Sequence, residues 1–202
     1  MNRPQLEFWF DFGSNYSYVA AMRIEALSER EGVDVRWRPF LLGPIFASFG
    51  WSTSPFVLQK EKGNYVARDM VRICAKYGIP WKAPSVFPRT AVYSMRVAAA
   101  HADAPWLPEY CRRFMLSNFA QDQDINSLDL AAKVLRDLGQ DADALIGAAQ
   151  SEEGKAKLRA RGDEAQRRGI FGAPMFFVGA EMFWGNDRLE DALSWAIGRA
   201  GQ

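Results

Sequence analysis

Leu6-Glu7-Phe8-Trp9-Phe10-Asp11-Phe12-Gly13-Ser14-Asn15-Tyr16-Ser17 is the stretch whose reading decides the architecture. Leu6 to Phe12 is a short, mostly apolar run with Phe8 and Phe10 on one face, which reads as a buried strand. Gly13-Ser14-Asn15 breaks the run. Tyr16, Ala20, Ile24 and Leu27 then fall at helical spacing, and Gly32 closes that helix. Val33, Val35 and Trp37 alternate with Asp34, Arg36 and Arg38, a strand pattern of period two. The first forty residues therefore predict a β-α-β unit with parallel strands and a right-handed crossover.

Outward from this unit the pattern changes. Gly43-Pro44, Gly50 and Ser54-Pro55 predict an irregular connection. A block of helices follows. Val66, Met70, Ile73 and Tyr77 form one apolar stripe, closed by Gly78 and Pro80; Ala91, Met95, Ala98 and Ala102 form another. A third helix is expected after Ala104, with Pro105 near its first turn. Ser127 is placed to cap a fourth, ending before Gly139; Asp141 to Ala149 and Ser151 to Arg168 supply two more. Strand character returns only after Gly172, as two short runs, Met175 to Val178 and Glu181 to Trp184, joined by Gly179-Ala180. A last helix carries Leu189, Leu193 and Ile197. The expected fold class is α/β. Residues 1–45 and 170–202 should share one sheet, with 46–169 as a large inserted all-helical domain.

Composition narrows the function. The 202 residues are 49% hydrophobic and 24% charged, ordinary for a globular chain, and the formal net charge of +1 gives no electrostatic case for nucleic acid or an anionic membrane. The basic stretch Lys155 to Arg168 also holds Asp163 and Glu164 and reads as a solvated helix face. No apolar run reaches the ~18 residues of a membrane span, and Met1 to Gln5 lacks the apolar core of a signal peptide. Cys74 and Cys111 sit apart in helical patterns. They form no disulfide framework, which points to a reducing, cytoplasmic setting, and with one histidine they make no metal site. Cys74 and Cys111 read as core residues and His101 as a favourable charge at a helix end. Phe46, Phe49, Trp51 and Phe56 are expected together in a loop, as the wall of an apolar pocket or a dimer contact.

Four places can carry chemistry. Ser14 lies where a helix N-terminus presents free N–H groups and favours an anion. It can act as a helix cap or as a hydrogen-bond donor to a bound thiolate. In thioredoxin-like proteins this junction carries two cysteines separated by two residues; here the positions read Ser14 and Ser17, so dithiol exchange is excluded. Gly172-Ala173-Pro174-Met175 opens a strand with a proline, either a plain strand start or a cis peptide that exposes the backbone of Ala173 to a peptide-like ligand. Trp184-Gly185-Asn186-Asp187 caps the last helix and places a carboxylate at its start. Lys62, beside Gly63, can reach a ligand carboxylate as a point charge or simply face solvent.

As an ordered set these segments resemble the 2-hydroxychromene-2-carboxylate isomerase family and its relatives, the kappa-class glutathione transferases and the DsbA-like branch of thioredoxin folds. The resemblance runs over nearly the whole chain. Phe8 to Tyr18, Phe171 to Pro174 and, most specifically, Glu181 to Leu189 carry it. It implies a thioredoxin-like domain from 1–45 and 170–202, a homodimer, and glutathione as cofactor. It implies Ser14 as the catalytic residue that activates the thiol. Ala173 would meet the cysteinyl part through its backbone, and Trp184, Gly185, Asn186 and Asp187 would line the γ-glutamyl end, with Asp187 near the ammonium. The Lys62-Gly63 pair matches one in the transferases. The chain departs from the family at Asn15, where proline is usual, and at Trp51, where transferases carry asparagine. Phe46 to Trp51 also lacks the basic groups that isomerases set against their aromatic substrate. The implied activity is a glutathione-dependent cis-trans isomerase of aromatic catabolism, acting on an aromatic compound or α-keto acid. A transferase for small electrophiles and a non-catalytic peptide-binding module are the alternatives.

Overall fold

The computed structural model describes residues 3–200, so the ends of the expected outer segments, 1–2 and 201–202, lie outside it. The β-α-β unit forms as β1 (Gln5–Phe10), α1 (Asn15–Glu31) and β2 (Asp34–Pro39). Helices then run from α2 to α9: Leu42–Ser48, Pro55–Leu58, Lys60–Tyr77, Val92–Ala100, Leu107–Phe119, Leu128–Asp137, Ala142–Gln150 and Glu152–Arg167. The chain closes with β3 (Met175–Val178), β4 (Glu181–Trp184), a 3₁₀ turn at Asn186–Arg188 and α10 (Leu189–Ala200). The strands of both ends form one sheet in the order β2-β1-β3-β4, with β1 parallel to β2 and antiparallel to β3.

Strand alternation sorts the aromatic side chains onto two faces. Phe8 and Phe10 turn to one side, where Phe8 stacks on Phe176 with ring centroids 5.5 Å apart, and Val19 and Ile24 of α1 join this core. Trp9 turns to the other side and packs with Phe40, Phe177 and Ala165 of α9. Each fully buried aromatic is worth roughly 1.5–3 kcal/mol relative to exposure, so β1 anchors both layers.

Several expectations fail locally. The connection after β2 is not irregular throughout: it holds α2 and α3. Gly43-Pro44 is tolerated because it lies at the start of α2, where the N–H that proline lacks has no helical partner anyway. Ser54 caps α3, accepting from the Phe56 N–H at 3.3 Å, and Pro55 occupies its first turn. Consequently Phe46 and Phe56 sit on helices; only Phe49 and Trp51 lie in the connection. The proline in the first turn of α6 is Pro108 and not Pro105, because the helix begins at Leu107. Gly32 and Gly78 end α1 and α4 in the left-handed region as expected, and Ser127 accepts from the Leu130 N–H at 3.2 Å. Neither Asn186 nor Asp187 caps the last helix: they lie in the 3₁₀ turn before α10, which has no side-chain cap, and Asn186 Oδ1 is taken by Arg23.

Candidate active site

The strand-to-helix junction is held from both sides. Ser14 is buried; its Oγ accepts from the Ser17 N–H at 3.2 Å and its hydroxyl donates to the Ala173 carbonyl at 3.1 Å. Ser14 thus caps α1 and ties it to the loop before β3, across 159 positions of sequence. The first turn of α1 contains no acidic residue of its own, so its N-terminal N–H groups face the cleft without a carboxylate in the same turn. Beneath the turn, Asp11 is also buried. One carboxylate oxygen accepts from the Gly13 N–H at 2.7 Å and the other from the Leu42 N–H at 2.8 Å. Burial pushes the Asp11 pKa up, against the lowering effect of those two bonds.

The Ala173–Pro174 peptide is cis. The Pro174 carbonyl accepts from the Gly185 N–H at 3.0 Å, which brings the end of β4 beside the loop. A Cβ on Gly172 would come within 2.7 Å of Trp184 Nε1, so the exposed Trp184 ring packs directly over the backbone of Gly172. Asn186 is buried, and its Oδ1 accepts from Arg23 of α1 at 3.3 Å; Arg23 also pairs with Glu190 and lies 3.7 Å over the Tyr77 ring. Asp187 and Trp184 are exposed. Lys62 is exposed on α4, with Nζ 5.9 Å from the Phe56 ring centroid.

All seven residues singled out in the sequence, Ser14, Lys62, Ala173, Trp184, Gly185, Asn186 and Asp187, line one cleft of about 1090 Å³. Its other wall is aromatic, with Phe46, Trp51, Phe56 and Phe87. Apolar walls with a few converging polar groups are the usual make-up of a small-molecule site. His101 and the cysteines lie outside it. The His101 ring sits 5.6 Å from that of Trp106, and its Nε2 is 3.3 Å from the Leu145 carbonyl. Burial raises the Cys74 thiol to about 11 and the Cys111 thiol well above its ordinary value, so both stay protonated.

The sequence matches the family described as the DSBA-like thioredoxin domain over residues 5–195. The chain belongs to the DsbA-like thioredoxin family. It is 34% identical over 193 residues to a 2-hydroxychromene-2-carboxylate isomerase of Sphingobium xenophagum, covering 92% of this chain and 94% of that one. Glutathione S-transferase kappa 2 of Caenorhabditis elegans is 27% identical, over 93% and 89% of the two chains. A solved 2-hydroxychromene-2-carboxylate isomerase superposes with a TM-score of 0.86 at 26% identity, over 98% and 96%. These relatives are enzymes, and within the DsbA-like family this chain stands in their isomerase and kappa-transferase group.

Three groups of this DsbA-like site were not singled out in the sequence. Asp11 ends the first strand, and its role depends on Leu42, 31 positions on; an acidic residue directly after an apolar strand and before a glycine turn is the available signal. The Tyr16 hydroxyl, on the cleft wall, donates to Asp69 of α4 at 2.9 Å; burial, then Asp69, pushes the Tyr16 pKa far up. Arg89 bonds Asn118 at 3.0 Å and pairs with Asp122, while the Asn118 amide donates to the Phe12 carbonyl at 3.1 Å. This chain of bonds fastens the helical block to the residue just before Gly13. Among the described residues no helix is long and apolar enough to cross a membrane.

Proposed function

We propose that this chain is a glutathione-dependent cis-trans isomerase acting on a conjugated aromatic compound or α-keto acid, with Ser14 stabilising the glutathione thiolate. The observation that carries the reading is the Ser14 hydroxyl, at the N-terminus of α1 and opposite the Ala173 carbonyl in an aromatic cleft. The donor set fits glutathione. Turning the Ser14 hydroxyl away from Ala173 frees one donor for a sulfur anion and one carbonyl for an amide N–H of the ligand. The cap survives the turn, because Ser14 Oγ still accepts from the Ser17 N–H. Asp187 suits an ammonium and Lys62 a carboxylate.

A free thiol near pKa 8.5 is only a few per cent ionised at neutral pH. Lowering it by ~2 units requires about 2.7 kcal/mol of differential stabilisation. One hydroxyl bond to an anion supplies roughly 1.5–3 kcal/mol and the helix terminus roughly 0.3–1 kcal/mol, so Ser14 and α1 together are of the right size to do this without a base. When bound, glutathione would supply a thiolate nucleophile for reversible addition to the conjugated carbon, held at Ser14 and the α1 N-terminus and not consumed. The Lys62-Gly63 pair supports a second reading, a kappa-class-like transferase that consumes the thiol. Incubation with 2-hydroxychromene-2-carboxylate and with a panel of electrophiles, tracking free thiol, separates the two. Isomerisation at constant thiol supports the first reading and thiol loss the second. No glutathione-dependent turnover of any of them rejects both. The same reading takes the protein as cytoplasmic and homodimeric, with 46–169 as a helical insertion in a thioredoxin-like domain of 1–45 and 170–202.

A further inference from the structure

The first turn of α1 holds most of its own N–H groups. The Ser17 N–H goes to Ser14 Oγ at 3.2 Å, the Tyr18 N–H to the Ser14 carbonyl at 3.0 Å, and the Tyr16 N–H to Asn15 Oδ1 at 2.9 Å. The first-turn donors left over both belong to Asn15: among the described residues, neither its main-chain N–H nor its side-chain Nδ2 has an acceptor. Asn15 is only 5% exposed, yet it lines the cleft directly beside Ser14. Only an oxygen can accept from the Tyr16 N–H, so the amide has one orientation, with Oδ1 against the helix and Nδ2 left to the cleft. A buried donor without an acceptor is costly, and native structures keep few of them.

Resting on the glutathione-dependent reading, we infer that the Asn15 side-chain amide is a catalytic donor to the second substrate's carbonyl oxygen, the carbonyl being conjugated to the carbon attacked. Reversible addition moves one charge across the substrate. An S–C bond forms, the C=C bond opens towards the carbonyl, and the negative charge passes from sulfur to the carbonyl oxygen. Reversal breaks the same S–C bond and returns the charge to sulfur, so no proton, oxidant or further reactant is needed. Ser14 stabilises the charge where it starts; a donor to the oxygen stabilises it where it develops. Only the second kind of contact grows along the reaction, and it therefore lowers the barrier without tightening the ground state. Nδ2 suits that oxygen: it is neutral, it is shielded from water, and it lies next to the hydroxyl proposed to hold the sulfur. Conjugated aromatic carbonyls and α-keto acids both present such an oxygen.

Two variants of the full chain test this. Asn15→Asp keeps an oxygen for the Tyr16 N–H and removes the donor; Asn15→Ala removes both. With 2-hydroxychromene-2-carboxylate and saturating glutathione, each should lower kcat by about 10²–10³ and change KM much less. The rates are compared at a pH where the ultraviolet titration shows the bound thiol fully ionised in every protein, so a shifted thiol pKa does not enter. Wild-type kcat in Asn15→Asp, with a loss only in Asn15→Ala, would make Asn15 a helix cap and overturn the inference. A second readout needs no turnover: the infrared carbonyl band of bound, carbonyl-labelled 2-acetylnaphthalene. It should lie at lower frequency in the wild type than in either variant. Equal bands, or no binding of the ketone by the wild type, would also overturn the inference. Loss of activity in Ser14→Ala with full activity in both Asn15 variants rejects the role of Asn15 alone. A wild type that neither binds glutathione nor turns over with it rejects the glutathione-dependent reading, whatever the carbonyl band shows, so the two failures are distinguishable.

Discussion

Ser14 carries two roles at once: it caps α1 and presents a hydroxyl to the cleft. Ser14→Ala should therefore lower stability by about 0.5–2 kcal/mol, the usual cost of losing an N-cap, as read by denaturant unfolding. Turnover at neutral pH should fall by about 10²–10³, the loss expected from deleting one donor to a reacting anion. Glutathione should still bind, since its other contacts lie elsewhere in the cleft. Ser17 is the control. Its Oγ is buried and has no partner, so Ser17→Ala should leave turnover within a few-fold of wild type. The two thiols are a second control: Cys74→Ala with Cys111→Ala should cost about 1 kcal/mol each in packing and leave glutathione-dependent turnover intact. A folded double variant without activity would place the chemistry at a thiol. Ser14 was legible because a serine at the end of a strand and the start of a helix is a local signal. Asp11 and the Tyr16–Asp69 pair were not, because their partners are distant in sequence and only the fold brings them together.

At the scale of elements, Asp11 couples α2 to the turn that aims Ser14. Asp11→Ala would leave the Gly13 and Leu42 N–H groups without their carboxylate, at about 1–3 kcal/mol for each buried donor. Gly13→Ala tests the same turn from above. The added Cβ would stand 2.7 Å from the Arg89 carbonyl, a backbone atom that cannot swing aside. We expect a loss of about 1–3 kcal/mol and a weaker glutathione complex, measured by unfolding and calorimetry. An unchanged Gly13→Ala protein would show that the segment carrying Arg89 yields easily. The helices with strong apolar stripes and clear caps were readable from spacing alone. The missed α2 and α3 are short and begin with Gly-Pro and Ser-Pro pairs, which mark turns as readily as first helical turns.

For the whole molecule, the strands of both chain ends meet in one sheet, and the face opposite α1 is stitched to α9 by charge. Glu7 of β1 accepts from Trp9 Nε1 at 3.0 Å and pairs with Arg38 and with Arg168, just past the end of α9. Burial pushes the Glu7 pKa up, but the bonds from Trp9 and Arg168 and the arginine charges outweigh it and hold the group below its ordinary value. A depressed folded-state pKa contributes stability above the ordinary glutamate range, which is lost as pH falls through the folded value. Glu7→Gln should therefore cost about 1–3 kcal/mol near neutrality, and its deficit against wild type should close on acidification below about pH 4. A deficit independent of pH would assign the effect to shape and not to charge. The sheet was expected from the return of strand periodicity after Gly172. This polar seam was not, since Glu7, Arg38 and Arg168 look like ordinary surface residues until β1, β2 and α9 are stacked.

The proposed formation of a thiolate from bound glutathione at Ser14 separates this mechanism from a purely structural role for the residue. It is tested most directly by following the ultraviolet absorbance of the thiolate in the glutathione complex as pH is raised, for wild type and Ser14→Ala. The wild-type complex should ionise about 2 units below free thiol, and the variant's pKa should rise towards the free value, with activity recovering in parallel at high pH. Identical titration curves for the two proteins, with full activity in the variant, would reduce Ser14 to a helix cap and contradict the mechanism.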